Sequence, residues 1–262
     1  MYFLRRLFRL VSLPPHRIVR LLRRLLMLAR RHRRVTAGIA LASLIAAVVA
    51  DLTLAPRHLP WRPLAIDDRG GFATDMKLRI YKLGPQTWCS SLVAASARLD
   101  VMPVAPHTTD DGCGWSDGFD IVTSSDIDMS GSASTAMRCP LLAGAHIWLT
   151  SIDERARAIL GSPLTSVHHF GTYSCRRMYN RQSGPMSQHA YANAWDVSGF
   201  ELADGRVISV LRDWDNGGAE ERFLKAARSE ACRIFSVVLT PDYNEAHRDH
   251  FHLDMGNGLR CK

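Results

Sequence analysis

The chain contains no Cys-x-x-Cys pair, no internal repeat and, beyond its first 34 residues, no surplus of basic charge. The first absence excludes a thiolate zinc cluster and a thioredoxin-like redox pair. The second argues against a repeat architecture. The third needs the charge divided along the chain: residues 1–34 hold eleven arginines and no acidic residue, and the remainder carries 22 basic against 25 acidic side chains. The formal charge of +8 is therefore a property of the leader. That balance does not support the basic face that phosphate binding needs, and we expect no nucleic-acid partner.

What is present begins with that Arg-rich leader (1–34), followed by the uncharged run "VTAGIALASLIAAVVA", which Asp51 separates from "LTLA". Residues 35–55 read as a transmembrane signal anchor, with the arginines cytoplasmic by the positive-inside rule and the rest exported. The competing reading takes "VVA" as a small-residue cleavage site and the run as the core of a signal peptide. A start at Met27 rather than Met1 would give a leader of more usual signal-peptide length. Both readings export the remainder, through or into the inner membrane. Cys89, Cys113, Cys139, Cys175, Cys232 and Cys261 all follow the apolar run, and an even number there suits disulfides in an oxidising compartment. The expected pairing is sequential: Cys89–Cys113, Cys139–Cys175 and Cys232–Cys261.

Residues 56–71, rich in Pro, Arg and Gly with no apolar period, read as a tether, so the folded domain is expected over 72–262. Within it, "PQTWCSSLVAASARL" has helical spacing, and "CPLLAGAHIWLTSIDERARAIL" is a second helix with proline at its first turn. "FDIVTSSDIDMS", "SVHHFGTYSC", "AWDVSGFEL", "RVISVLRDW", "SVVLT" and "HFHLDMG" read as strands, and "AEERFLKAARSEACRIF" as an amphipathic helix. Strands joined largely by hairpins, with a few packed helices, predict an α+β domain around an antiparallel sheet.

Two short segments carry chemistry. In "SQHAYANAWD", His189 lies in a loop leading to Asp196 at the start of a predicted strand; alone, such a pair usually means an ordinary capped turn. In "HRDHFHLD", His250 and His252 are two apart on a predicted strand and share a face. Together the segments supply two imidazoles and a carboxylate, the stoichiometry of a catalytic zinc (Zn2+) site with one position open. Zinc there would acidify water and polarise a carbonyl, as amide hydrolysis at neutral pH requires.

The pattern "SxHxxxxAxD" followed about fifty residues later by "HxH" resembles the LAS superfamily of zinc peptidases, which includes lysostaphin-type endopeptidases, D-Ala-D-Ala peptidases and the hedgehog fold. More closely, "YSCRRMYNRQSGPMSQHAYANAWDVSGFELADGRVISVLRDW" and "VVLTPDYNEAHRDHFHLDMG" are similar to the bacterial extensin-like C-terminal domain proteins, over roughly Cys89 to Cys261. With only 12 prolines and no repeat, the chain is not a proline-rich wall protein of the plant extensin kind. The resemblance implies a LAS/hedgehog-like periplasmic hydrolase that cuts peptidoglycan peptides, as an endopeptidase or carboxypeptidase. It implies His189, Asp196 and His252 as zinc ligands, His250 facing the reacting water or carbonyl, Arg176 on the substrate, and Ser187 supporting the first histidine, in practice as a turn cap. The alternative is a non-catalytic wall-binding or scaffolding module that keeps the fold. Two features depart from the superfamily: alanine stands at position 192 where glycine is usual, and no "ExxWH" element supplies a glutamate base. Glu245 and Asp249 are possible substitutes. His247 is expected as a solvated loop residue, and His168 and His169 as structural residues facing opposite sides.

Overall fold

A computed structural model describes Val19, Arg23, Met27 and residues 33–262, except 85 and 130–134. Apart from those three positions and Arg33 and Arg34, the Arg-rich leader lies outside the described residues, as does Pro85 at the start of the first predicted helix. The chain divides into an N-terminal unit ending at Leu54 and a second unit, Ala55–Lys262. Helix α1 (Arg33–Thr53) belongs to the first. Its apolar part, Val35–Thr53, is 19 residues long, or about 28 Å at helical rise. That length suits a membrane span or a signal sequence.

The second unit is a mixed α+β body. Among the described residues ten strands form one sheet in the order β1 (Leu99–Val104), β4 (Gly118–Ser124), β5, β7, β8, β11, β10, β12, with β6 (Met137–Arg138) paired to β4 and β9 to β8, while β2 (His107–Thr108) pairs β3 separately. The strands that position the functional residues are β7 (Leu164–Gly171), β8 (Ala194–Leu202), β10 (Val237–Leu239) and β11 (Phe251–Asp254). The antiparallel expectation holds for most pairs. Two are parallel, β5 (Ile127–Asp128) with β7 and β10 with β12 (Arg260–Cys261). Between β5 and β7 a helix carries the chain back across the sheet, the crossover that parallel pairing requires.

That helix, α4 (Cys139–Leu160), organises the core. Arg138 leads in with extended backbone, Pro140 occupies the first turn where its missing N–H costs nothing, and Gly161 closes the helix at φ 76°. Its first eleven residues are all buried. Trp148 packs within about 6 Å of the rings of Trp195 on β8 and Phe251 on β11, and its indole N–H donates to the Ala227 carbonyl at 2.9 Å. Amphipathic α6 (Ala219–Ala231) lays Phe223, Leu224 and Ala227 onto the same core. The inner faces of β8 and β11 are thereby fixed, which fixes what their other faces present.

Three expectations are corrected here. The tether 56–71 is part of the body: Leu59, Leu64 and Ile66 are buried. Their irregular spacing leaves no period to read, because a docked loop buries side chains one at a time. Of "RVISVLRDW", only β9 (Val207–Ser209) is strand, and Val210–Asp213 forms the short helix α5. Val210 and Trp214 are buried while Leu211 is exposed, a helical spacing, and Asp213 accepts a hydrogen bond from the Ser209 N–H at 2.7 Å. The disulfides are Cys89–Cys139, Cys113–Cys175 and Cys232–Cys261, so only the third follows the sequential expectation. Cys89 lies on α3 (Gln86–Ala94), which packs on α4 where Cys139 begins. Cys113, just before the short strand β3 (Gly114–Trp115), meets the loop after β7. Tertiary packing rather than sequence order chose these partners.

A buried relay ties the former tether to α4. Ser124 Oγ donates to His146 Nδ1 at 2.7 Å, and His146 Nε2–H donates to Asp67 Oδ1 at 3.0 Å. The same trio serves nucleophilic catalysis in other proteins, but Ser124 and His146 are fully buried, so here it is a clasp. Burial, outweighing Asp67, pushes the His146 pKa down. Burial would raise Asp67, yet hydrogen bonds from Ser96 and Ala97 hold it below the usual carboxylate value. With both native values depressed, the unfolded chain takes up protons first, so this contribution to stability is present at neutral pH. It is lost as pH falls below 6.5 for the histidine and below 3.8 for the aspartate. Asp67→Ala leaves a buried imidazole N–H without its acceptor and is expected to cost about 1–3 kcal/mol. Thermal melts at neutral pH check this, and an unchanged Tm contradicts it.

Candidate metal centre

Strand alternation builds the centre. On β8, Trp195 and Val197 turn into the core, so Asp196 between them faces the other way. On β11, Phe251 and Leu253 are fully buried, which leaves His252 and Asp254, with His250 just before the strand, on the opposite side. The antiparallel register sets His252 directly across from Asp196, with His252 Nδ1 2.9 Å from Asp196 Oδ1.

The third group arrives on a tight turn before β8. Ser187 caps a 3-10 turn over Gln188–Tyr191, its Oγ accepting from the His189 N–H at 3.3 Å. Ala192 ends the turn at φ 49°, ψ 35°, the left-handed backbone that glycine adopts without cost and alanine at about 1 kcal/mol. Flanking hydrogen bonds hold it there: Ala192 N–H to the His189 carbonyl, and Arg138 N–H to the Ala192 carbonyl. Alanine thus holds this left-handed turn.

His189 Nε2 lies 3.1 Å from Asp196 Oδ2 and 3.2 Å from His252 Nδ1, and one donor atom from each of the three residues falls within 4.8 Å of the others. The far side of each ring decides what these atoms are. His189 Nδ1 faces the Thr172 carbonyl at 3.2 Å, an acceptor only, so Nδ1 carries the proton and Nε2 presents a lone pair. His252 Nε2 faces Asp254 Oδ2 at 3.1 Å, and Asp254 is itself oriented by the Gly256 N–H at 2.7 Å. His252 Nε2 is therefore also the protonated nitrogen, and with both rings neutral two lone pairs and a carboxylate point at one another. Such a set repels itself unless a proton or a cation sits among it. The donor set fits a divalent metal of the zinc type, with imidazoles held by a carbonyl and a carboxylate as metal-ligating histidines commonly are.

Without a metal, the proton fills that role. Burial opposes charge on His252, but hydrogen bonds to Asp196 and Asp254 outweigh it and push the ring up to about 9. Burial likewise opposes charge on Asp196, and the imidazoles of His189 and His252 beside it hold its carboxyl well below the usual range.

Beside the cluster opens a cleft of about 590 Å3, lined among others by Arg176, Ser187, Asp196, Tyr243, His247, His250 and His252. His250 Nδ1 bonds Asp249 Oδ1 at 2.8 Å, which leaves Nε2, 3.7 Å from Asp196 Oδ1, as its second nitrogen at the centre. Arg176 is half-buried on the cleft wall and makes no ion pair with any described residue. Glu245 is exposed and ion-paired to Arg248, and Asp249 is occupied with His250.

His247 differs from expectation. It is buried, donates from Nδ1 to Asn244 Oδ1 at 2.7 Å, and its ring lies 5.2 Å from His250 and 5.9 Å from His252. Burial, with the neighbouring histidines, pushes its pKa down to about 4. A 3-10 turn at Glu245–His247 swings the ring inward, and a turn is invisible to strand periodicity. His168 is exposed, and His169 meets the Met129 carbonyl at 3.1 Å, so neither joins the cluster. Asp254 and the Thr172 carbonyl were also missed. Alternation from His252 pointed to the first, but a backbone oxygen leaves no trace in sequence.

The Extensin-like protein C-terminus family matches residues 87–262. No curated protein and no solved structure matches the chain. The matched segment covers the centre, the cleft and all three disulfides, and on that match the chain belongs to the extensin-like protein C-terminus family.

Proposed function

We propose that this chain is an exported zinc-dependent hydrolase that cuts amide bonds in peptidoglycan stem peptides or cross-links. On this reading α1 anchors it in the inner membrane, and the disulfide-bearing body works in the periplasm. The observation that carries the chemistry is the convergence of His189 Nε2, His252 Nδ1 and Asp196 with their protons directed outward, beside an open cleft. When bound, zinc would supply a Lewis acid that polarises a carbonyl and acidifies water. His189, Asp196 and His252 would hold it. His250 Nε2 accepts a proton or donates to developing negative charge, its ring oriented by Asp249. Arg176 receives a carboxylate or carbonyl of the peptide. His247, kept neutral, offers its second nitrogen as a hydrogen-bond acceptor beside the centre. A LAS-like architecture is part of this proposal, supported by the residue pattern around these positions.

The test is incubation of the purified chain with isolated muropeptides, with and without a chelator, followed by mass analysis of products. Cleavage that a chelator stops and zinc restores is the expected result. Retention of muropeptides without cleavage under any metal condition overturns the hydrolase and favours a wall-binding module.

A further inference from the structure

Helix α2 (Thr74–Leu83) turns Thr74, Lys77 and Leu78 into the body, while among the described residues its other face carries exposed apolar side chains. Phe72 is 89% exposed and Leu83 85%, with Met76 and Ile80 also exposed. Steps of four and three residues align Met76, Ile80 and Leu83 on one stripe of the helix, and Phe72 stands on the turn just before it. Trp88 extends the stripe: its ring lies so close to Gly84 that a Cβ there would meet it at 2.5 Å, yet the side chain is 52% exposed. Trp61 is 55% exposed.

We propose that this face seats the body on the surface of the lipid bilayer, a reading that rests on α1 as a membrane anchor. The argument is one of chain continuity. The N-terminal end of α2 is tied to residues 56–58: Phe72 N–H donates to His58 Nδ1 at 3.1 Å, Ala73 N–H to the Arg57 carbonyl at 3.3 Å, and Lys77 Nζ to the Pro56 carbonyl at 2.8 Å. Pro56 follows the end of the apolar helix at Thr53 by three residues, a length of chain that spans about 10 Å at most. The stripe therefore starts where an anchored chain leaves the membrane. Tryptophan is the residue favoured at that depth. At the far end of α2, Lys82 Nζ donates to the carbonyl of Gly256 at 2.7 Å, in the wall of the cleft. Seating α2 would thus hold the cleft at a set position over the membrane.

The experiment uses the full chain in vesicles of phosphatidylethanolamine and phosphatidylglycerol, with a photo-crosslinking amino acid at position 80 or, as a control, at position 211, where Leu211 is exposed elsewhere on the body. After illumination, lipid adducts are expected at 80 and not at 211, and adduct yield at 80 should fall about tenfold in Phe72→Ser/Met76→Ser/Leu83→Ser. Those three side chains are exposed, so the variant should keep its Tm. Alkaline extraction separates the two ideas. A chain that stays in the membrane but gives no lipid adduct at 80, or a crosslink to a second copy, overturns the docking face and leaves the anchor standing. A chain released by alkali overturns both.

Discussion

Asp196→Ala and His252→Ala are each expected to strip zinc from the purified protein. Either change removes one of the three donors that converge among the described residues, and Asp196 also bridges the other two, its oxygens lying 3.1 Å from His189 Nε2 and 2.9 Å from His252 Nδ1. Removing a partner of a ligating histidine typically weakens metal binding about 10–100-fold, so Asp254→Ala should fall in that range and the two ligand variants beyond it. Metal analysis after dialysis, with titration calorimetry, measures all three; zinc retained at one equivalent in Asp196→Ala would sink the centre. Proton release gives a further signature. In the metal-free protein His252 holds its proton up to about pH 9, so zinc must displace it. Apparent affinity should then rise about tenfold per pH unit between 7 and 9, and about one proton should leave per metal bound. The stability sign in the metal-free protein is the reverse of the Asp67 clasp. A histidine whose pKa is raised on folding contributes fully below the ordinary histidine value of 6.5, and the contribution is lost as pH rises through about 9.

His250→Ala should separate metal binding from turnover. His250 lines the cleft and lies 3.7 Å from Asp196, but its Nδ1 is committed to Asp249 and it is not among the converging donors. Zinc content is therefore expected to stay near one equivalent while kcat on muropeptides falls about 100- to 10,000-fold, the range for losing a general acid or base. His247→Ala is the useful comparison, because its depressed pKa makes it a poor base. A larger kcat loss in His247→Ala than in His250→Ala would exchange the roles given to the two rings. Loss of zinc from His250→Ala would show instead that it is a ligand.

Much of the centre was legible because strands repeat every two residues. The spacing of His250 and His252 was enough to place both on one face, and the apolar neighbours Phe251 and Leu253 show which face is buried. Helix α4 was equally legible, its ends marked by Pro140 and Gly161. Irregular backbone was not. Leu59, Leu64 and Ile66 dock as a loop, and His247 is turned inward by a single 3-10 turn. Position 192 was read as a departure, and only the backbone angles reveal that alanine has taken up the left-handed conformation.

By itself the sequence determined the apolar helix, the mixed α+β class, the presence of paired cysteines and the residue types of the centre. Each of these is local, set by composition or by a period of two or 3.6 residues that neighbouring side chains impose on one another. The tertiary structure alone decided which cysteines pair, that Asp196 stands opposite His252, and which ring nitrogens carry protons. Those depend on strand register and on partners such as Thr172 and Asp254, brought together by the burial of α4 against β8 and β11, and no short-range pattern encodes such a meeting.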